Sequence, residues 1–426
     1  KTDERVYLKH ADMLRFNQYG EHAGAQILNG NVAFLHKGAL LTCDSAYFYQ
    51  ESNSFKAFGH VKMRQGDTLS LTSDYAFYDG DNQMAEARHN VLLRHRGTKL
   101  YTDSLNYDRL YNIGYFFEGG KMVDRNNVLV SDWGEYDTET RKAVFNYNVN
   151  LRNPMSNKGK EITGDSLFYD EKRGISQGYR NVIYKDTQKK NELHCNYLWY
   201  NEKNGFAFAT ENPVMMEYSQ KDTLFVHSDT IKVITYHLNT DSVYRTAHCY
   251  NKVRAFRNDV QAVCDSLVYN TKDSCMTMYR DPIAWSGDRQ LLGEEIQVFM
   301  KDSTIDRAHI INQALTAELM PDKDHYQQLS SKEMFAYFTK GQITQTEAIG
   351  NVRSIYYPVD DKDSTLMGLV YIETDTMKMF MRDRQLQKIW TSKTDGTWYP
   401  MTQIPPERYK LDGFTWFDYI RPINKD

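Results

Sequence analysis

The stretch Gly30–Tyr49 reads GNVAFLHKGALLTCDSAYFY, and variants of it recur at a period of about thirty residues along the chain. Aligned on the acid of TCDSAYFY, the recurring position is almost always an acid, and weaker copies follow at Glu333 and Asp375. A near-fixed period indicates supersecondary units that stack on one another. The clear copies are Asp12, Asp44, Asp74, Asp103, Asp132, Asp165, Asn196, Asp229, Asp265 and Glu294.

The residues around each acid alternate as they do in a β-strand. Two and four residues after Asp44 come Ala46 and Phe48, and other repeats keep apolar or aromatic residues at these positions. This spacing places the side chains on one face of a strand. Leu41, three residues before the acid, has the opposite parity. An apolar face that changes parity within a strand requires a bend or bulge near the acid.

A second segment of each repeat begins with Gly, Asn or Asp and continues with a β-branched residue, as in GNVAF at Gly30 and GHVKM at Gly59. This pattern predicts a hairpin turn followed by a strand. Polar stretches such as YDGDNQ predict exposed turns between segments. The predicted fold is therefore all-β: an elongated antiparallel solenoid of hairpin repeats with two strands each.

Composition supports a β-rich fold and excludes some partners. Aromatic residues make up 13% of the chain, with 31 Tyr, and such residues favour pleated, half-buried surfaces. The net charge of −4 provides no electrostatic footprint for nucleic acid. The first residues, KTDERVYLKH, contain no hydrophobic signal core, so either the protein is cytoplasmic or a signal peptide has been removed.

The repeat resembles that of the OstA/LptA family of periplasmic lipopolysaccharide transport proteins. The resemblance is clearest in Gly30–Tyr49, in Gly59–Tyr78 (GHVKMRQGDTLSLTSDYAFY) and in His89–Tyr107 (HNVLLRHRGTKLYTDSLNY), and it weakens beyond Phe299. The chain is about twice as long as a compact member of the family. It is more similar to the long OstA-like proteins of Bacteroidota-type bacteria.

The resemblance implies a β-jellyroll folded like a taco, whose apolar interior shields lipid A acyl chains. It also implies a periplasmic location after removal of a signal peptide. The implied partners are lipopolysaccharide, an inner-membrane Lpt export complex and an LptD-like outer-membrane barrel, and head-to-tail self-association is a further expectation. No enzymatic activity, cofactor or metal is implied.

The interior groove is predicted from the strand parity and the resemblance together. Apolar burial contributes about 0.8 kcal/mol per CH₂, so a continuous apolar seam could hold acyl chains. The predicted lipid-binding residues are Leu41, Ala46, Val61, Met63, Leu71, Ala76, Val91, Leu93, Leu100, Leu105, Leu129, Val149, Leu167 and Leu198.

The recurring acid has two interpretations, a calcium ladder or a structural hydrogen bond at the bend. Calcium-binding β-roll repeats are glycine-rich nine-residue units with several oxygen ligands, whereas here one acid occurs in each long repeat. Asn196 occupies the position without a charge. A local hydrogen bond from the acid to the bend is therefore the favoured interpretation.

The five cysteines do not form a recognisable disulfide framework. Cys43, Cys195 and Cys264 occupy the small position before the acid and are predicted to be buried fillers. Cys249 and Cys275 are left, and they could pair across adjacent strands or remain free thiols.

Residues 1–390 are predicted to form one continuous solenoid and residues 391–426 a C-terminal tail that either caps the last strand or docks a partner. Pro405 and Pro406 break strand pairing in this tail. Two alternatives to lipid transport stay open: a structural or adhesive scaffold with a filled core, and a glycan-active enzyme. Core volume discriminates the scaffold from a conduit, and acids converging with aromatics on an outer face would indicate the enzyme.

Overall fold

The structure of the chain is a computed structural model, which describes residues 4–425 except 17, 126, 153–158, 220, 302–303, 341, 361–364 and 383–384. The chain divides into two compact units. Unit 1 comprises Lys1–Lys189 with His194–Lys203, and unit 2 comprises Lys190–Leu193 with Asn204–Asp426. Strand β16 (Asn191–Asn201) carries residues of both units.

Both units consist of β-strands. The strands of unit 1 are β1 (Tyr7–His10), β2 (Met13–Phe16), β3 (Gln26–His36), β4 (Ala39–Tyr49), β5 (Ser54–Gln65), β6 (Leu69–Asp79), β7 (Met84–His95), β8 (Thr98–Asp108), β9 (Ile113–Phe116), β10 (Gly120–Asp124), β11 (Asn127–Ser131), β12 (Trp133–Asp137), β13 (Lys142–Arg152), β14 (Lys160–Asp170) and β15 (Ile175–Asp186). 

The strands of unit 2 are β17 (Phe206–Thr210), β18 (Val214–Glu217), β19 (Leu224–His227), β20 (Thr230–Tyr236), β21 (Tyr244–Arg257), β22 (Val260–Asn270), β23 (Cys275–Tyr279), β24 (Ile283–Ser286), β25 (Arg289–Leu292), β26 (Glu295–Lys301), β27 (Thr304–Leu319), β28 (Tyr326–Thr339), β29 (Gln342–Tyr356), β30 (Gly368–Arg382), β31 (Gln385–Thr391) and β32 (Thr394–Pro400). Short 3₁₀ turns follow at Met401–Gln403, Pro406–Arg408 and Asp418–Ile420. No helix among the described residues is long and apolar enough to cross a membrane.

The predicted all-β, antiparallel architecture is confirmed. From β3 to β8, each strand pairs with the next one along the chain in antiparallel register. After β8 the ladder divides into two branches, one through β9 and β12 and the other through β10 and β11, and both branches pair with β13. The divided region shows that each long strand belongs to two sheets, one on either side of a bend.

The bend is made by two consecutive residues with left-handed backbone. In β3 these are Gly30 (φ 79°) and Asn31 (φ 47°), and the register of β3 with β4 shifts there. The prediction that GNV marks a hairpin turn is therefore wrong, because the motif bends the middle of a strand. The prediction of a bend near the acid is confirmed. Equivalent pairs are Gly59–His60, His89–Asn90, Tyr147–Asn148, Arg180–Asn181, Glu211–Asn212, Asn251–Lys252, Arg280–Asp281, Asn312–Gln313 and Gly350–Asn351.

The recurring acid holds the bend of a neighbouring strand. Asn90 Nδ2 donates to Asp74 Oδ2 at 2.6 Å, and the Asn90 backbone N–H donates to Asp103 Oδ1 at 3.2 Å. One bend is thus bound by the acids of the strands on both sides. The side-chain contact recurs as Asn31–Asp12 (2.9 Å), His60–Asp44 (2.7 Å), Asn148–Asp132 (2.6 Å) and Asn181–Asp165 (3.0 Å).

These contacts confirm the structural interpretation of the acid, although the donor is more often the amide side chain of the bend than its backbone. Among the described residues, no group of three or more His, Cys, Asp or Glu side chains is placed to hold a metal ion. We name this arrangement the acid–amide clamp. It offsets part of the cost of left-handed backbone, which is about 1–2 kcal/mol for a residue that carries a Cβ.

The five cysteines are free thiols, and all except Cys275 are buried. Burial raises the pKa of the Cys43, Cys249 and Cys264 thiols to about 12. They are therefore protonated at neutral pH and act as small apolar fillers, as predicted for Cys43 and Cys264.

The strand ladder continues past residue 390, because β30 pairs with both β31 and β32. The chain then turns back across unit 2: Ile404 and Leu411 join an apolar cluster with Leu369 and Tyr357. The predicted span of 1–390 as one continuous solenoid stays a prediction.

The clamp predicts that Gly59→Ala is more destabilising than Gly38→Ala. Both glycines have positive φ (71° and 75°), so a Cβ costs backbone energy at both positions, by about 1–2 kcal/mol. At Gly59 the Cβ would also clash with the Asp44 carboxylate, whereas at Gly38 no atom lies within 4 Å. Urea unfolding should give a lower midpoint for Gly59→Ala. Equal midpoints would contradict a stabilising role for the clamp.

Candidate functional site

The predicted lipid-binding side chains all lie in the interior. All fourteen are buried, with exposed fractions between 0% and 5%. Thirteen of them belong to one continuous apolar cluster of unit 1, and Leu198 is buried outside that cluster. The strand parity thus identified the inward face, and binding of lipid by these residues stays a prediction.

The interior of unit 1 is filled by its own side chains. The rings of Phe34 and Phe55 stack with centroids 4.1 Å apart, and Leu105 and Ala57 are completely buried. A cavity beside Phe34, Leu41 and Phe55 has a volume of only about 10 Å³, which is about the size of one water molecule. The structure therefore contains a closed apolar core at the place where an open groove was expected.

The two sheets of unit 1 are joined differently along their two sides. On the bend side, the backbone of each long strand passes continuously from one sheet to the other. On the opposite side, the strand ends of the two sheets meet through side chains. We name this second side the mouth.

The first group of mouth contacts is built around Tyr78, which lies four residues after the acid Asp74. The Tyr78 hydroxyl is 2.7 Å from His36 Nδ1 on the other sheet and accepts a hydrogen bond from Arg109 Nη1 at 2.6 Å. Arg109 also donates to Gln65 Oε1 at 3.0 Å and to the Lys37 carbonyl at 3.2 Å. One guanidinium thus spans the mouth.

The second group is built around Glu171, which is buried. Its Oε2 accepts hydrogen bonds from the Tyr136 hydroxyl and from Thr98 Oγ1, both at 3.0 Å, and its Oε1 pairs with Arg141. His95 Nδ1 lies 3.2 Å from the Tyr136 hydroxyl. This carboxylate therefore links strand ends of both sheets.

The third group contains a buried carboxylate with an unused oxygen. Tyr169 donates to Asp124 Oδ2 at 3.1 Å, and Asn127 donates to Glu202 Oε2 at 3.1 Å. Asp124 Oδ1 is buried and has no hydrogen-bond partner among the described residues, and the same holds for Arg141 Nε in the second group. Unpaired buried polar groups are costly, so these two atoms weaken the closure of the mouth.

Burial sets the protonation of the mouth. It lowers the pKa of the His95 imidazole and raises the pKa of the Asp124 carboxyl and of the Tyr78 hydroxyl. Burial would also raise the pKa of Glu171, but hydrogen bonds from Arg141 and Tyr136 outweigh burial, and its pKa is lowered. Glu171 is thus charged and His95 neutral at neutral pH.

Sequence reasoning identified the tyrosines of the mouth as inward-facing but missed their partners. The missed signal is a polar residue five positions after the bend Asn or His, where the strand parity predicts an inward apolar side chain. His36, Gln65 and His95 occupy this position. Their partners lie on the other sheet, so only the tertiary fold joins them.

Comparison with known proteins identifies a family for part of the chain. Residues 3–161 match the sequence profile of the family described as OstA-like protein. No curated protein sequence matches the chain. Among solved structures, the chain is similar to LptH, the LptA-homologous periplasmic component of the lipopolysaccharide transport device from Pseudomonas aeruginosa. The identity is 16% and the TM-score 0.24, over 28% of this chain and 80% of LptH.

The family match covers Gly30–Tyr49 and the following copies of the repeat, the same residues on which the resemblance rests. The similarity to the OstA-like family is thus located in residues 3–161.

Proposed function

We propose that this protein is a periplasmic bridge protein that carries lipid A acyl chains of lipopolysaccharide from the inner to the outer membrane. The OstA-like domain and the continuous apolar interior of unit 1 support the proposal. The partners would be an inner-membrane Lpt export complex and an LptD-like barrel in the outer membrane. The protein itself would have no enzymatic activity.

The observation that carries the proposal is the asymmetry between the bend and the mouth. At the bend, the two sheets are connected by covalent backbone. At the mouth, contacts such as Arg109–Tyr78 and Tyr136–Glu171 join them through side chains. Parting the sheets at the mouth would break these contacts and leave the backbone ladders of both sheets intact. The filled core can therefore open along one side.

Acyl chains that enter through the mouth would replace contacts between core side chains with contacts between those side chains and the lipid. Burial of each CH₂ contributes about 0.8 kcal/mol, and this contribution is similar at every strand of a uniform apolar seam. A chain would then slide with little preference for any position. Direction must come from an external energy source, namely an ATP-driven inner-membrane complex.

A structural scaffold with a filled core is the second candidate function. The packed interior of unit 1 favours it, since Leu28, Ala57 and Leu105 are fully buried by other residues of the chain. The two candidates differ in whether the mouth opens in the cell, so lipid contact in the interior discriminates between them.

Photocrosslinking in cells tests the conduit. A photoreactive amino acid at Leu105, which is fully buried, should crosslink to lipopolysaccharide, and the same probe at the outward neighbour Asn106 should not. Ile162 and Thr163 form a second matched pair, in which Ile162 packs at the margin of the core and tolerates a bulky probe more readily. Adducts at Leu105 and Ile162 alone support the conduit. Absence of adducts at both inward positions favours the scaffold.

The mouth predicts a pH dependence of stability that His95→Gln removes. Because burial lowers the pKa of folded His95, the unfolded chain binds a proton more readily below the ordinary value of 6.5. Stability should therefore fall as the pH drops from 7 to 5.5. Gln keeps a polar partner for Tyr136 without the titration, so urea midpoints of the variant should fall less over this range.

A second histidine provides a control of opposite sign. The hydrogen bond with Asp44 raises the pKa of His60 above 6.5, so its contribution is present below that pH and is lost as the pH rises. The variant His60→Asn should weaken stability more at pH 5.5 than at pH 8.

An identical pH profile of the urea midpoint for wild type and His95→Gln would contradict the assignment of His95 to the closed mouth.

A further inference from the structure

Unit 2 contains a long surface trough of about 1,140 Å³. Its floor is one row of paired residues that crosses six strands, roughly 24 Å at the usual strand spacing. The row is apolar at one end and polar at the other. It consists of Ile283, Leu292, Leu315, Ser330, Arg353 and Glu373.

One wall of the trough is the C-terminal strap, which we define as residues 405–421. Gln328 is 2% exposed and binds the strap with both amide atoms: Nε2 donates to the Tyr409 carbonyl, and Oε1 accepts from the Leu411 N–H, each at 2.8 Å. This paired contact to residues i and i+2 resembles the pairing of a β-strand. The strap is therefore held by its backbone at this point.

Gln290 repeats the arrangement farther along the strap. It is completely buried, donates to the Thr415 carbonyl at 2.8 Å and accepts from the Phe417 N–H at 2.7 Å. Arg421 then donates to Gln261 Oε1 at 2.8 Å. Three glutamines on three strands fix the strap, so this wall of the trough is preformed. The tail lies across the outer face of unit 2 at these contacts, and its role as a cap of the last strand or as a docking segment stays a prediction.

The opposite wall is the row of bends, and the acid–amide clamp, which is kept between Asn312 and Glu294 at 3.0 Å, is broken at one bend of this row. Register places Lys332, and not the predicted Glu333, opposite the bend Gly350–Asn351. A lysine replaces the acid, so the Asn351 amide loses its usual acceptor. Neither the Lys332 amine nor the Asn351 amide has a partner among the described residues, and both side chains are exposed.

Free acceptors face these free donors. The carboxylates of Asp375 and Asp395 and the amine of Lys393 line the same trough, and none of the three has a hydrogen-bond partner in the described part of the chain. Arg353, by contrast, is paired with Asp412 of the strap at 2.7 Å. The polar end thus offers unused donors and unused acceptors side by side.

We propose that this trough binds an extended oligosaccharide. Each hydroxyl of a sugar both donates and accepts a hydrogen bond, which matches adjacent free amines, amides and carboxylates. A phosphate-rich ligand would be repelled by Asp375 and Asp395. An added peptide strand would need open backbone groups, but the floor strands are paired on both sides. The site lies in unit 2, so the proposal does not depend on lipid passage through unit 1.

Titration calorimetry with the full chain tests the site. The probes are deacylated oligosaccharide prepared from lipopolysaccharide and a neutral linear glucan. We expect at least one of them to bind, and Lys332→Ala and Asn351→Ala to weaken binding about tenfold each, as expected for loss of a charged or well-oriented hydrogen bond. Binding of the first probe alone would identify lipopolysaccharide sugar as the source, and binding of both a general glycan site.

Matched controls separate the trough from general surface effects. Lys340→Ala and Asp306→Asn change exposed charges of unit 2 outside the trough and should leave binding unchanged. Absence of binding by both glycans would overturn the proposal, and so would equal weakening by trough and control variants. Binding of an extended peptide with the strap sequence, with no binding of either glycan, would overturn it in favour of a peptide groove.

Discussion

The contact between an acid and the amide of a left-handed bend is the interaction on which the rest of the structure depends. Two consecutive residues with positive φ turn the strand from one sheet into the other, and non-glycine residues such as Tyr147 and Arg180 adopt this conformation only at an energetic cost. Asp74 and its counterparts offset that cost by binding the bend of the adjacent strand. Because a bend such as that at Asn90 binds the acids of both neighbouring strands, these contacts hold adjacent strands in register.

The clamp also explains why the two sides of unit 1 differ. The bend side is continuous backbone reinforced by short hydrogen bonds, such as the 2.6 Å contact between Asn148 and Asp132. The mouth depends on longer side chains, and Asp124 Oδ1 and Arg141 Nε have no hydrogen-bond partner there within the part of the chain that the structure describes. The proposed opening for acyl chains would therefore take place on the weaker side, at the mouth. This asymmetry reconciles a packed core with the transport of acyl chains proposed here.

Unit 2 has the same bend repeat as unit 1, but its outer face binds the C-terminal strap. Its outer face carries the buried glutamines Gln261, Gln290 and Gln328, which bind the backbone of the C-terminal strap. Where Lys332 interrupts the clamp, the bend row exposes unpaired polar groups beside that strap. Two departures from the repeat thus give unit 2 a distinct surface. One is Lys332 in the acid position, and the other is the C-terminal strap that folds back over the strands. Local departures from a repeat are informative because the regular copies show what each position otherwise does.

The sequence by itself determined the all-β class, the antiparallel repeat, the inward face and the bend near each acid. These features depend on alternation and on small residues at fixed spacing, which are local properties of a strand. It misassigned GNV as a hairpin turn, because Gly and Asn supply left-handed backbone in both settings. The acid position was also misplaced by one residue at Glu333, where the repeat is weakest.

Only the tertiary structure decided whether the interior is open, which side chains close the mouth and where the tail lies. Residual volume depends on how Phe34 and Phe55 pack against residues of other repeats, and no local pattern encodes that packing. His95, Tyr136 and Glu171 are far apart in sequence and meet because two sheets bring their strand ends together. Contacts of this kind are set by register across many strands, which the chain acquires only when it folds.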